Sequence, residues 1–222
     1  MHNIVVLGFQ VSVVCSLLLI ALRLGKEVTI AWLGLLAVVM NLFVLKQITL
    51  FKLEVTASDA LAVGYLLGLN LMQEFYGESQ ARSVIWISLF LTFGFWLLTV
   101  LHLAYIPNIF DQSQTAFQFL FSPMPRLLFA SVSSFLVVQL LDIAFFRYLR
   151  EKTGGRFLPL RTTISLLLSQ VIDTLLFTFL GLYGLIAHPG DVILMSLCIK
   201  GLVILATTPF VVLCKRGVTR EV

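Results

Sequence analysis

The sequence predicts an all-α polytopic membrane protein that forms a single domain over residues 1–222 and crosses the membrane with about seven helices. Hydrophobic residues make up 59% of the chain and charged residues only 12%, whereas soluble domains carry roughly 25% charged residues. The mean hydropathy is correspondingly high, at +1.03. The apolar residues also fall into separate stretches of about 20 residues, the length that crosses a bilayer as a helix.

Seven such stretches follow one another along the chain. They are Asn3–Leu22, Thr29–Leu50, Asp59–Tyr76, Ser83–Ile106, Arg126–Leu149, Thr162–Ala187 and Val192–Cys214. The first stretch has no Lys or Arg before it, but Arg23 and Lys26 follow it. A signal peptide carries its positive charge ahead of a shorter apolar core. We therefore expect the first stretch to be a spanning helix of the mature protein.

The distribution of basic residues predicts the orientation. With seven crossings and the N-terminus outside, the cytoplasmic side receives 11 of the 15 Lys and Arg residues, the outer side receives 3, and Lys200 lies inside a helix. Positive charge concentrates on the cytoplasmic side of membrane proteins, so this orientation places the C-terminus in the cytoplasm. The cytoplasmic residues are Arg23, Lys26, Arg82, Arg147, Arg150, Lys152, Arg156, Arg161, Lys215, Arg216 and Arg220.

Two connections are longer than the others. Pro107–Pro125 alternates polar residues with phenylalanines, a pattern typical of a segment that lies at the membrane interface. Arg150–Arg161 is polar and basic and is expected to be an exposed loop. At the third helix, Asp59 is expected to cap the N-terminus. Gly64 and Gly68 share one helical face there, which allows close packing against another helix.

Ionisable and amide side chains inside the apolar stretches are the candidate functional residues. A charged group at the centre of a spanning helix costs about 2.5–3.5 kcal/mol on insertion scales, so such groups usually line a path or pair with one another. They are either a substrate site between the helices or buried contacts that hold the bundle together. The candidate substrate-binding residues are Asn41, Asn70, Gln73, Glu74, Gln139, Asp142, Gln170, Asp173 and Lys200.

A Gln-x-x-Asp pattern occurs in both the fifth and the sixth predicted helix. Gln139 with Asp142, and Gln170 with Asp173, each place an amide and a carboxylate on one helical face. Asp173 and Lys200 lie at similar depths near the midplane, and an ion pair between them belongs to the alternative in which buried contacts hold the bundle together. Amides and acids outnumber bases in this set, which favours a neutral or cationic substrate rich in hydrogen-bond donors.

The sequence contains no motif of a soluble enzyme, a metal site or a cofactor site. It lacks G-x-S-x-G, Walker A and H-E-x-x-H patterns, and His2, His102 and His188 are far apart. The three cysteines form no C-x-x-C pair and are expected to be small buried hydrophobic residues. Because the basic residues sit in short clusters between apolar runs, the net charge of +4 does not indicate nucleic-acid binding. We therefore expect no enzyme, metal or cofactor.

Several short motifs, in this order and spacing, resemble the queuosine precursor transporter family, also called the vitamin uptake transporter family. The resemblance extends from about Trp32 to Lys215. The matching stretches are Val55-Thr-Ala, Glu74-Phe-Tyr-Gly77 with Ala81-Arg82, Val84-Ile-Trp, Arg126-Leu-Leu-Phe-Ala-Ser131, Phe135 to Asp142, Ser165 to Phe177, and Lys200 with Thr208-Pro209-Phe210. Asn70 is a departure, because the family often has an acid at that position.

The resemblance implies an importer in the cell inner membrane for 7-deazaguanine bases (preQ0, preQ1 or queuine) that serve tRNA modification. It also implies a core of six helices preceded here by an additional N-terminal helix, with no ATPase partner, and it is compatible with a homodimer. Two alternatives remain. One is a carrier or channel for another small polar solute, such as a vitamin. The other is an intramembrane enzyme or a structural membrane subunit without transport activity.

Overall fold

The computed structural model describes residues 2–43, 46–50, 53–121, 124–182 and 189–218. Helices dominate this part of the chain, and a short hairpin follows the second helix. In order, the elements are α1 (His2–Leu24), α2 (Lys26–Phe43), β1 (Gln47–Leu50), β2 (Leu53–Thr56), α3 (Asp59–Tyr76), α4 (Glu78–Leu103), α5 (Gln114–Phe121), α6 (Met124–Lys152), α7 (Leu158–Phe177) and α8 (Pro189–Val218). A π-helical turn, Thr178–Leu182, continues α7.

Five of the described helical segments are long and apolar enough to cross a membrane, which confirms a helical, multi-pass membrane protein. They are α1, α2, α4, Val132–Lys152 within α6, and Leu158–Gly181, which includes α7. In α8 the apolar segment is shorter and spans Ser196–Val211. The remaining long helix, α3, carries several polar residues and is the most enclosed, with most of its side chains buried from Asp59 to Gln73.

The prediction of one helix over Thr29–Leu50 is wrong at its C-terminal end. α2 ends at Phe43, and the following residues form the antiparallel β1–β2 hairpin, in which Gln47 pairs with Thr56 and Leu50 with Leu53. β-Branched residues are frequent in both strands, and such residues favour extended backbone. The cross-strand bonds satisfy backbone polar groups that the helix no longer satisfies. Apolar contacts then hold the hairpin, because Ile48 packs against Ile199 of α8, which also contacts Leu7 of α1.

The prediction of an exposed loop over Arg150–Arg161 is also wrong at both ends. α6 continues to Lys152 and α7 starts at Leu158. The short connection contains Gly154 and Gly155 at φ values of 56° and 76°, a region that glycine adopts without strain. As a result, Arg161 lies inside α7 and is buried.

The segment between α4 and α6 contains the exposed helix α5, in which no described side chain is buried. The Phe117 ring packs edge-on against His102 of α4, with 5.0 Å between ring centroids. Before the helix, the Asp111 carboxylate accepts hydrogen bonds from the Ser113 hydroxyl (2.6 Å) and backbone amide (2.7 Å). These bonds lower the pKa of Asp111 below its usual value. The interfacial position of this segment stays a prediction.

α3 occupies the middle of the bundle and packs against α1, α2, α4, α6, α7 and α8. Its two glycines permit the closest of these contacts. A Cβ atom at Gly64 would collide with Val14 of α1, and one at Gly68 would collide with Leu33 of α2. This confirms the expected close packing at the Gly64–Gly68 face and shows that the partners are helices of the same chain.

Candidate functional site

Asp142 of α6 is the central residue of the candidate site. Its side chain is fully buried, and its Oδ1 atom accepts hydrogen bonds from the hydroxyls of Ser165 at 2.7 Å and Ser169 at 2.6 Å. Both serines belong to α7 and are one turn apart, so they present their hydroxyls on the same helical face. The antiparallel packing of α6 and α7 thus places a carboxylate against two donors inside the bundle.

α3 adds two amides to this carboxylate. Gln73 Nε2 donates to the backbone carbonyl of Ile143, next to Asp142, at 3.2 Å. The fully buried Asn70 side chain lies beside the Asp142 carboxyl. Asn70 and Gln73 are three residues apart and lie on the same side of α3. We call Asn70, Gln73, Asp142, Ser165 and Ser169 the Asp142 cluster; it lies between α3, α6 and α7.

Several buried polar atoms of these three helices have no hydrogen-bond partner within the described part of the chain. Inside the Asp142 cluster they are Asp142 Oδ2, Gln73 Oε1 and both amide atoms of Asn70. The side-chain oxygens of Gln139 on α6 and Gln170 on α7 also lack a hydrogen-bond partner among the described residues. Buried polar atoms in proteins are nearly always satisfied by protein groups or by ordered water. The cluster therefore has free capacity to bind water or a polar ligand, and most of this capacity accepts hydrogen bonds.

Glu74 lies one turn from Asn70, towards the end of α3. Its Oε1 atom is 2.9 Å from Nη2 of Arg161 in α7, and its Oε2 atom is 3.8 Å from Nε of Arg150 in α6. Arg161 is only 1% exposed, and the sequence reasoning missed it as a site residue. Its polar, basic neighbours in the sequence are typical of a loop. Arg161 stands four residues before Ser165, however, and this spacing would place both side chains on one face of a helix.

The ion pair between Asp173 and Lys200, which the sequence offered as one of the contacts that hold the bundle together, is present. Lys200 Nζ lies 2.6 Å from Asp173 Oδ2 and 3.3 Å from the hydroxyl of Thr174. Asp59 also interacts electrostatically with Lys200. Asp59 is the first residue of α3, whereas Ser58 holds the N-cap position, so the prediction of Asp59 as the cap is wrong by one residue.

The described contacts assign the predicted site residues to different places. Asp142 bonds across the α6–α7 interface, whereas Asp173 of α7 bonds across to α8. Asn41 lies elsewhere: it lines a cleft with Thr92 and Phe95 of α4 and Phe121 of α5, and it donates to the Ala37 carbonyl of its own helix at 2.8 Å. That Gln139, Asp142, Gln170 and Asp173 face one shared cavity stays a prediction. In the described residues, no group of three or more His, Cys, Asp and Glu side chains could hold a metal ion.

Comparison with known proteins gives two matches. Residues 56–214 match a family model described as "Putative vitamin uptake transporter". The chain is also 31% identical over 204 residues to a protein of Bacillus subtilis (strain 168) described as "Probable queuosine precursor transporter", and the match covers 89% of this chain and 87% of that protein. No solved structure matches the chain.

Proposed function

The chain belongs to the vitamin uptake transporter family, and on this premise we propose that it imports queuosine precursors, which are 7-deazaguanine bases, across the cell inner membrane. The observation that carries the proposal is the fully buried Asp142 with one oxygen unengaged, next to two amide side chains of α3 and enclosed by α3, α6 and α7. The similar protein of Bacillus subtilis, described as a probable queuosine precursor transporter, supports this substrate class.

The hydrogen-bonding groups of the Asp142 cluster suit a guanine-type base. Such a base presents a ring N–H beside an exocyclic NH₂ group, and a carboxylate oxygen and amide oxygens accept from these donors. In this proposal Asp142 Oδ2 and Gln73 Oε1 accept hydrogen bonds from the base. Asn70 can accept through its oxygen, and its NH₂ group can donate to the carbonyl of the base. Gln139 and Gln170 supply further amides on α6 and α7. Since binding would satisfy buried atoms that otherwise need water, a donor-rich ligand is favoured over an apolar one.

The arrangement of charges supports the proposed orientation. Ion pairs of Glu74 with Arg150 and Arg161, and of Glu78 with Arg82 and Arg147, cluster where α3 and α6 end and where α4 and α7 begin. In our proposal this basic end is cytoplasmic. Counting α3 and α8 as crossings as well, the chain crosses seven times, with the N-terminus outside and the C-terminus inside. Transport without an ATPase partner, and a homodimer, are parts of the proposal that rest on the family resemblance.

The test is uptake of labelled preQ0, preQ1 and queuine by cells that cannot make these bases and that produce the protein. We expect uptake above that of cells with an empty vector, and competition by unlabelled 7-deazaguanines but not by vitamins. A matched control produces the Asp142→Asn variant at the same level in the membrane. Absence of uptake with the protein present, or competition by a vitamin at equal concentration, would overturn the assigned substrate class.

A further inference from the structure

A second set of side chains repeats the three-helix arrangement of the Asp142 cluster, one helical turn nearer the basic end of the bundle. The second set contains the residue four positions from a member of the cluster on each helix. These residues are Glu74 on α3 (from Asn70), Phe146 on α6 (from Asp142) and Arg161 on α7 (from Ser165). Each of these spacings is one turn and stays on the same helical face. The same three helices that enclose the candidate site therefore also meet directly beneath it.

Arg161 joins the members of this second layer. Its Nη2 atom lies 2.9 Å from Glu74 Oε1 and 3.4 Å from the Gly155 carbonyl. Its guanidinium carbon lies 5.2 Å from the centre of the Phe146 ring, within the range of a cation–π contact. With 1% of its surface exposed, Arg161 occupies the space between α3, α6 and α7. We call Glu74, Phe146 and Arg161 the plug.

Stability alone does not explain a charged residue at this place. Replacing a buried ion pair by well-packed apolar residues is often neutral or stabilising. Moreover, Nε and Nη1 of Arg161 have no hydrogen-bond partner within the described residues, which is a costly arrangement for a permanent contact. An ion pair is, however, suited to a contact that opens, because both charged groups gain hydration when they separate.

We propose that Arg161 is the gate residue of the transport path, and that its contacts with Glu74 and Phe146 close the path between the Asp142 cluster and the cytoplasm. The inference rests on the proposed function in one respect, namely that a solute passes between α3, α6 and α7. Release to the cytoplasm then requires Arg161 to leave Glu74.

The structure contains a second partner for Glu74 that lowers the cost of opening. Arg150 lies 3.8 Å from the other Glu74 oxygen and has 47% of its side chain exposed. When Arg161 moves away, Arg150 keeps the carboxylate paired at the exposed end of the path. The open state is therefore not left with an unpaired acid, a loss that would otherwise oppose opening.

The neighbouring ion pairs of Glu78 provide a matched control. Glu78 binds Arg82 at 2.8 Å and Arg147 at 3.0 Å, and these two arginines are 51% and 50% exposed. Exposed pairs of this kind are screened by water and contribute little. Arg82 also lies on α4, outside the three helices that form the plug. Breaking its pair should leave access to the Asp142 cluster unchanged.

The experiment measures access to the site from the cytoplasmic side. Cys15, Cys198 and Cys214 are replaced by serine, and Ser165→Cys then reports on the space directly above the plug. Inside-out membrane vesicles are treated with a membrane-impermeant charged methanethiosulfonate. We expect slow labelling with Arg161 present. Arg161→Met should accelerate it by about tenfold or more, which corresponds to a shift of about 1.4 kcal/mol in the closed–open equilibrium. Arg82→Met should leave the rate unchanged.

Equal labelling rates with and without Arg161, or an equal acceleration by Arg82→Met, would overturn the proposal. If Arg161→Met does not accumulate in the membrane, Glu74→Gln breaks the same ion pair with Arg161 in place and must give the same acceleration. Failure of both variants to accumulate would show that the pair serves folding, and would overturn the gate as well. Labelling needs no substrate, so an accelerated rate would support the plug even if the uptake experiment excluded 7-deazaguanines.

Discussion

Lys200 Nζ lies 2.6 Å from Asp173 Oδ2 and so links α8 to α7 inside the bundle. Lys200 is 5% exposed, and the Asp173 side chain is 26% exposed, so the ammonium is the more deeply buried of the two charges. Its proximity to Asp59 at the start of α3 brings a third helix to the same cation. A buried charge of this kind requires its partners, because water does not replace them.

Removing the charge of Lys200 should destabilise the protein, because the carboxylates of Asp173 and Asp59 lose their cationic partner inside the bundle. Lys200→Met is expected to lower the apparent melting temperature in detergent, since breaking a buried pair typically costs about 3–5 kcal/mol. The double variant Lys200→Met/Asp173→Asn should recover most of the loss. As a control, Lys26→Met removes an exposed partner of Glu27 at 3.6 Å and should have little effect. Without recovery in the double variant, Lys200 and Asp173 would not be stabilising each other.

Asp142→Asn should weaken uptake of the labelled base while leaving the fold largely intact. The variant keeps an oxygen to accept from Ser165 and Ser169, but it replaces the unengaged oxygen with an NH₂ donor that faces the donors of the substrate. An unsatisfied buried donor costs about 1–3 kcal/mol, so a decrease of about tenfold is expected. The measurement is initial uptake, normalised to the amount of protein in the membrane. Asp111→Asn in the exposed connection is the control, and equal uptake by both variants would assign Asp142 a structural role.

Adding a methyl group at the glycines of α3 should destabilise the helix packing in a predictable order. Gly64→Ala meets Val14, a stiff β-branched side chain, whereas Gly68→Ala meets the mobile tip of Leu33 and, at 3.2 Å, a methyl group of Leu18. Overpacking typically costs about 1–3 kcal/mol, and we expect the larger decrease in melting temperature for Gly64→Ala. Gly94→Ala in α4 has no atom within 4 Å of the added Cβ and should be neutral or slightly stabilising. A larger effect at Gly94 than at Gly64 would contradict this packing.

The proposed orientation predicts that reporter fusions at Arg220 and in the connection Pro107–Pro125 lie on opposite sides of the membrane. A cytoplasmic reporter such as green fluorescent protein should be active at Arg220, and a periplasmic reporter such as alkaline phosphatase should be active in the connection. The expectation follows from the bias of basic residues towards one side. Activity of the same reporter at both positions would exclude seven crossings with the N-terminus outside.

The sequence alone determined that the protein is a helical membrane protein and which residues to consider for a site. Long apolar runs can satisfy their backbone only as helices in a bilayer, so the class follows from composition and run length. Asp142 and Lys200 stood out because buried ionisable groups are costly and therefore rare in such runs. Depth along two helices offered Asp173 as a partner of Lys200, and the structure contains this pair.

The tertiary structure decided what periodicity and composition leave open. β1 lies at the end of the predicted stretch Thr29–Leu50, and run length alone does not separate it from α2; the contacts of β1 with α1 and of β2 with α8 do. Arg161 reads as part of a basic loop, but the early start of α7 and the position of Glu74 on α3 place it inside the bundle. Similarly, two identical Gln-x-x-Asp patterns lead to different partners, serines of α7 for Asp142 and a lysine of α8 for Asp173. The physical reason is that a helix determines which side chains share a face, whereas the packing of distant helices determines what that face meets.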